Sequence, residues 1–542
     1  MPAKNILPTL ALAIAFPFGN ALAEPVGIDW EVVHRFRMLA KNEVNRYRQD
    51  LQVITSDLTH QKTKYPSPTT ETYDTTWNPY SHSYQKDYPL DRKREILLTP
   101  RLPKGLQQKN LLCQWWVDGK PDPGTIESCD PKTITVTLNE EGRGHMPVKL
   151  VVMDQNRVTL GSDQKILTPR DLVIVALGDS FGSGEGVPDV NAYVVANESY
   201  WVEEQWLDRR CHRSMFSGFN QAAFILSEDD KEISVTMLNF TCSGAEIRTI
   251  EEGNVQGGEH KDGGLLTPFA GVDRPDKKHP LKPQLEDAIA ALCPQDRYNA
   301  EQRECASLRK PDLVLISIGG NDVGFGPVLK NLIAKPHDHD CEKELINKAG
   351  PNVSWKDYRV NDKMELLENN FVLLRSAIRT RLQPTSVLIS EYPDPTHDQT
   401  GEKFCNSSIF NRAGRFSIIG HGNLSDKEYQ CAFKHILQPL NRTIERMVSD
   451  GNAEEARSTR KEKINWIYNA GMMEATRHGG ICAKGPEGEF LSYFNWLDAS
   501  EAVELEFTGT VHPNIFGYMA YRKILLPRME NEVKRIKGLS NH

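Results

Sequence analysis

No long block of lysine or arginine occurs anywhere in the 542 residues, and 65 basic against 73 acidic side chains leave a formal charge of -8. A surface that tracks phosphates needs concentrated positive charge, so no nucleic-acid partner is expected. After Phe18 no apolar run approaches the roughly 20 residues a membrane-crossing helix requires, so no transmembrane segment is expected either. No Cys-x-x-Cys pair is present, which removes the commonest redox and zinc signatures. Charged residues are 25% and apolar residues 39% of the chain, which is ordinary globular usage and excludes wholesale disorder. At about 150 residues per domain the length implies more than one folding unit and excludes a small disulfide-stapled module.

At the start of the chain, Lys4, the apolar stretch Ile6 to Phe18 and the small-x-small pattern Ala21-Leu22-Ala23 before Glu24 read as a removable secretory signal peptide over residues 1–23. The apolar stretch is broken by Pro8 and Pro17 and is too short to anchor in a bilayer. The mature protein is therefore expected to be secreted or periplasmic. The 10 cysteines are then expected in disulfides, since an exported chain meets an oxidising environment. Nearest-neighbour pairing gives Cys113 with Cys129, Cys293 with Cys305, and Cys405 with Cys431. The run His337-Asp338-His339-Asp340-Cys341 is the one metal-like cluster, but alternating ligands in a polar loop read as solvated. Neither a metal nor a cofactor is expected.

Residues 24–168 read as an accessory region. It opens on a helical-looking segment, Trp30 to Tyr47, with apolar Val32, Val33, Phe36 and Leu39 at helical spacing. An irregular stretch, Thr69 to Asp91, follows. Strand-like runs at Thr133 to Leu138 and Val148 to Met153 come next, and Cys113 and Cys129 flank Trp115, Trp116 and an Asp118-Gly119 turn. A small, mainly β, immunoglobulin-like domain is the expectation. Over 169–542 the pattern changes to apolar runs at Leu172 to Leu177, Ile233 to Phe240, Leu313 to Ile318, Ser386 to Ser390 and Ile464 to Tyr468. Amphipathic stretches such as Met364 to Leu382, Ile436 to Met447 and Asn514 to Val533 separate or follow them. This predicts a three-layer α/β/α domain on a parallel sheet, with chemistry at the carboxyl ends of the strands.

Those ends carry four blocks. Gly178-Asp179-Ser180 follows the first run, Cys242-Ser243-Gly244 the second and Gly319-Gly320-Asn321-Asp322 the third, while Val511-His512-Pro513-Asn514 precedes the last helical stretch. A lone glycine-rich turn is weak, because such turns end strands for structural reasons. Four in order are specific. Together with Cys211-His212-Arg213-Ser214 and Gly324-Phe325 they resemble the SGNH (GDSL-type) serine hydrolases, most of all the secreted streptomycete-like lipases and esterases. The resemblance covers roughly residues 170 to 525 and implies a flavodoxin-like sheet.

The resemblance implies Ser180 as nucleophile and His512 as its base, with an oxyanion hole from the Ser180 and Gly244 main-chain N-H groups and the Asn321 side-chain amide. Asp179 and Asp322 read as turn-holding carboxylates, and His212 as an orienting or packing residue of the serine loop. Most relatives carry an acid three residues before the histidine, but here that position is Gly509. Asp498, Glu504 and Glu506 are the nearest carboxylates, with Asp498 the candidate third member; otherwise a backbone carbonyl near Gly509 takes the role. Cys211 and Cys242 are expected to bridge the serine and oxyanion loops, which by elimination pairs Cys341 with Cys482. Tyr193, Tyr200, Trp201 and Trp206, with the long segments 186–215, 251–283 and 327–360, are candidate substrate walls. The expected activity is a secreted carboxylester hydrolase acting on lipid or short-chain acyl esters. A carbohydrate O-acetylesterase or an acyltransferase is the alternative, and a non-catalytic binding protein is the reading from another class. Partner proteins and oligomeric state are not legible.

Overall fold

The computed structural model describes the chain apart from residues 1–24, 59–68, 108–109, 122–126, 195–200, 249–262, 274–277, 302–303, 327–341, 351–357, 409–422, 486–490, 497–499, 501–503, 505–507 and 540–542. The signal segment, the 337–341 cluster, Tyr200, Asp498 and Glu506 lie outside the described residues. The chain divides into two compact units, one of residues 1–31, 96–134 and 145–168, the other of 32–95, 135–144 and 169–542.

The larger unit is built on β1 (Arg170–Gly178), β2 (Ile233–Asn239), β3 (Leu313–Ser317), β4 (Ser386–Ser390) and β5 (Asn465–Asn469). They pair in the order β2-β1-β3-β4-β5, every pair parallel. Every residue of β1 to β4 is buried, which is why these strands read as unbroken apolar runs rather than as alternating ones. The strand order reverses at β1, and a parallel sheet opens a crevice at the carboxyl ends where such a reversal occurs. The chain leaving β1 enters that crevice.

Residues 32–95, expected with the accessory region, belong to the larger unit because their aromatic side chains complete its core. Phe36 and Tyr47 meet the Phe224 ring edge-on at 5.4 and 4.8 Å. The Tyr47 and Tyr88 hydroxyls donate to the carbonyls of Met215 and Met237 at 2.7 and 2.8 Å. A helix over Trp30 to Tyr47 is not what forms. Gly27–Val32 is a strand, Phe36 bridges Val235 in parallel, and the helix is Val44–Leu58. Val235 N donates to Arg35 O and Arg37 N to Val235 O, at 2.6 and 3.0 Å. Pairing with the edge of β2 opposite β1 thus holds extended a segment whose apolar spacing is helical, a tertiary override of local pattern. At the start of β1, the fully buried Asp171 carboxylate meets guanidinium groups of Arg309 at 2.6, Arg94 at 2.8 and Arg37 at 3.6 Å. Burial favours its neutral form, but the three cations win and hold its pKa well below the usual range.

The smaller unit contains an antiparallel sheet of Thr159–Leu167, Met146–Met153, Leu112–Val117 and Lys120–Pro121, with Glu127–Ser128 also pairing to Leu112–Val117. Asp118 and Gly119 form its two-residue turn with φ of 51° and 71°, the left-handed pair that matches hairpin twist.

Disulfides join Cys113 to Cys129, Cys211 to Cys242 and Cys293 to Cys305. The expected Cys405-Cys431 and Cys341-Cys482 pairs are corrected: Cys405 bonds Cys482 across 77 residues. Cys405 N donates to Thr396 O and Ile481 N to Pro395 O, both at 2.8 Å, so one short segment gathers both cysteines. Cys431 is also disulfide-bonded, to a partner outside the described residues.

Candidate active site

Ser180 begins a one-turn helix, Ser180–Ser183, where the chain turns sharply off β1. At Gly178, with φ +141°, a Cβ would lie 2.0 Å from the Ser317 carbonyl oxygen, so only glycine lets β1 approach β3 this closely. Asp179 caps the helix by accepting from Phe181 N at 3.1 Å, and it also accepts from Ser317 Oγ at 3.0 Å and from the Tyr392 hydroxyl. Burial pushes its pKa up to about 7 against those three donors. Tyr392 in turn accepts from Gly320 N at 2.8 Å, which ties the cap to the Gly319-Gly320-Asn321 turn. Asp322 likewise holds a turn, accepting from Ile247 N at 3.2 Å and from Asn370 Nδ2 at 3.3 Å.

His512 arrives from the opposite end of the chain. Val511 before it has φ +65°, a conformation that costs a β-branched residue on the order of 1–2 kcal/mol. Bonds from Val511 N to Asn495 O, Asn495 N to His512 O and His512 N to Gly509 O, at 2.9, 2.9 and 3.0 Å, hold it there. The result is a 2.8 Å hydrogen bond between His512 Nε2 and Ser180 Oγ. Tyr518, on the following helix Ile515–Leu539, donates to Ser180 O at 3.2 Å and to Glu185 O at 2.9 Å. Burial lowers the His512 pKa from 6.5, with Glu185 the largest opposing influence, so the ring is neutral near pH 7 and free to accept a proton.

The second and third blocks converge as well. Asn321 Nδ2 donates to Ala245 O at 3.0 Å, next to Gly244. Gly244 has φ +79°, and its absent Cβ would meet only the Phe269 ring at 3.3 Å, so backbone conformation rather than space requires glycine. The Cys211-Cys242 bond and a 3.0 Å bond from Ser243 N to Cys211 O clamp this loop to the segment after the serine helix. Among the described residues, neither the Ser180 nor the Gly244 N-H has a hydrogen-bond acceptor.

Position 509 carries no acid, and a Cβ there would lie 2.4 Å from Glu504 Oε2, so any side chain at 509 would displace the Glu504 carboxyl. Glu504 Oε2 accepts from Gly509 N at 3.1 Å and Ser500 Oγ at 3.0 Å and makes no hydrogen bond to His512. The buried His512 Nδ1 closes no hydrogen bond among the described residues, although the Thr510 and Thr508 carbonyls lie close enough to favour the protonated ring. His212 points elsewhere. Its Nδ1 is 3.0 Å from both Glu185 oxygens, and its ring stacks on Trp206 at 4.5 Å.

No family model and no curated protein matches this chain. Among solved structures, an extracellular lipase from Streptomyces rimosus is similar at 14% identity, covering 65% of this chain and 98% of its own, with a TM-score of 0.32. A family two carbohydrate esterase from Clostridium thermocellum, in an active-site mutant form, has 14% identity, 79% and 86% coverage and a TM-score of 0.28. An acetyl xylan esterase from Butyrivibrio proteoclasticus has 11% identity, 79% and 85% coverage and a TM-score of 0.27. Likenesses this distant decide nothing about chemistry.

Beside the Ser180-His512 pair lies an apolar cavity of about 90 Å³, whose lining includes Phe181, Val323, Phe325, Ala432, Leu440 and Val511. The Phe181 and Phe325 rings also flank His512 at 5.2 and 6.0 Å. Of the aromatic wall candidates, Trp206 is buried against His212 and Tyr193 is exposed, and neither lines this cavity. Sequence reasoning missed Glu185, although it stands inside the Ser183-Gly184-Glu185-Gly186 run, and Tyr392, which no motif marks. It also missed the cavity wall from residues 424–440, which carries no motif either.

Proposed function

We propose that this protein is a serine carboxylester hydrolase of the SGNH type, with a flavodoxin-like α/β/α catalytic domain, acting after export on esters with an apolar acyl group. The single observation that carries the reading is the 2.8 Å bond between His512 Nε2 and Ser180 Oγ at the reversal point of the sheet. In the first step Ser180 Oγ bonds to the ester carbonyl carbon while its proton passes to His512 Nε2. The carbonyl oxygen, now negative, takes hydrogen bonds from Ser180 N, Gly244 N and Asn321 Nδ2. The tetrahedral intermediate then expels the alcohol, which receives the proton from His512. Water repeats the sequence on the acyl-enzyme, giving its proton to Nε2 and releasing the acid. The pair has no acid hydrogen-bonded to the histidine, and the main-chain carbonyls of Thr508 and Thr510 lie at the ring.

The apolar lining of the cavity favours a hydrocarbon acyl chain over an acetyl group on a sugar. A fluorophosphonate probe should label the wild-type protein at Ser180, and Ser180→Ala and His512→Ala should each abolish both labelling and p-nitrophenyl ester hydrolysis. Full labelling of Ser180→Ala would remove the serine mechanism.

A further inference from the structure

We propose that the Glu185 carboxylate, held by His212, supplies the negative charge that stabilises the protonated His512 ring, replacing from the serine loop the acid that position 509 does not carry. The inference rests on the hydrolase reading and adds a positioning residue to it.

The geometry brings residues 185–186 against both flanks of the histidine. Glu185 is 0% exposed, and Tyr518 bonds its carbonyl and that of Ser180 with one hydroxyl. At Gly186 a Cβ would stand 3.1 Å from Pro513 O and 3.5 Å from Gly509 O. Gly186 O accepts from Asn495 Nδ2 at 2.8 Å, and Asn495 N donates to His512 O at 2.9 Å. The Glu185 oxygens face His212 Nδ1, and the stacked Trp206 ring fixes that imidazole in place.

The ionisable groups around Glu185 are His212, His512, Glu504 and the Tyr518 hydroxyl, with the Ser243 side chain as a further donor. Two carboxyl groups in one dry enclosure do not both ionise at neutral pH. His212 decides which one does. Burial raises the pKa of Glu185, but His212 and then His512 pull it down to about 2. Glu504 is raised well above the carboxylate range by burial first and by the Glu185 charge second. Of the two carboxyl groups Glu185 therefore carries the charge and Glu504 is neutral and fixes the Gly509 turn, while the His212 ring opposes protonation of His512 less than Glu185 favours it. A buried charge acts through space on a neighbouring ring with little solvent screening, so Glu185 favours the imidazolium that forms as Ser180 attacks.

The pH profile of kcat/KM, measured on a p-nitrophenyl ester, tests this. Removing the charge in Glu185→Gln should move the acid limb down by about one pH unit, a tenfold change in the protonation equilibrium of the ring. It should also lower kcat on the order of tenfold, with KM within about twofold, because the charge matters only once the ring is protonated. Glu504→Gln should leave the acid limb in place, because that carboxyl carries no charge to lose. A folded Glu185→Gln protein with an unmoved limb overturns the inference, as does a downward shift in Glu504→Gln. The second variant decides the matter even where the first does not fold. Absence of fluorophosphonate labelling in the wild-type protein overturns the hydrolase reading and this inference with it, whereas a labelled protein with an immobile limb overturns the role of Glu185 alone.

Discussion

Lengthening the acyl group of a p-nitrophenyl ester from acetyl to pentanoyl should raise kcat/KM, and the cavity beside Ser180 sets the scale. Its lining is apolar, and the step from acetyl to pentanoyl adds three methylene groups to be buried against it. Each methylene moved from water to an apolar wall contributes about 0.8 kcal/mol. Three contribute about 2.4 kcal/mol, equivalent to roughly a 60-fold rise in kcat/KM at 25 °C. Replacing the small wall residue Ala432 by phenylalanine fills the cavity, so the pentanoate-to-acetate ratio should fall to a few-fold. The assay is initial-rate hydrolysis of the ester series by wild type and Ala432→Phe. A wild-type profile that is flat, or highest for acetate, would refute the acyl-cavity argument and favour an acetyl-specific sugar esterase. A 60-fold ratio that survives Ala432→Phe would show that the chain binds elsewhere.

Because burial lowers the His512 pKa and only the neutral ring accepts the serine proton, kcat/KM should rise with pH through a limb centred below 6.5 and be flat at neutrality; a limb above 7 would exclude His512 as the titrating base. Replacing Cys211 and Cys242 by alanine opens a loop of 31 residues; chain entropy predicts a loss of about 3.7 kcal/mol in urea unfolding, with reduced kcat because Ser243 and Gly244 lose their clamp, and unchanged stability would contradict it. Asp171 has a pKa depressed by Arg94, Arg309 and Arg37 against its burial, so its stabilisation is complete above the unfolded carboxyl value near 4 and is lost as pH falls further. Asp171→Asn should cost about 3–5 kcal/mol at pH 7 and flatten the decline of stability below pH 4, and a steep decline that persists would assign acid lability to another group.

Strands β1 to β4 were legible because being buried on both faces makes them continuous apolar runs, a pattern written in consecutive residues. The Gly178-Asp179-Ser180 and Val511-His512 blocks were legible for a similar reason, since tight strand-end turns restrict which residues can stand there. The extended backbone from Arg35 to Arg37 was not, because hydrogen bonds to Val235 select its conformation, and these come from a strand about 200 residues away. The Cys405-Cys482 bond was hidden likewise: spacing in sequence says nothing about two segments that meet because each pairs with Pro395 to His397.

The sequence by itself determined the strand-rich core, the order of the four blocks and the absence of an acid at position 509, since each depends on residue type at a fixed offset. Tertiary structure alone decided that His512 reaches Ser180 across 332 residues. It also decided that the wall beside them is apolar, and that of the two carboxyl groups behind the site it is Glu185, next to His212, that carries the charge. Those outcomes depend on desolvation and on distances between groups far apart in the chain, and neither is defined until the sheet and its loops have packed.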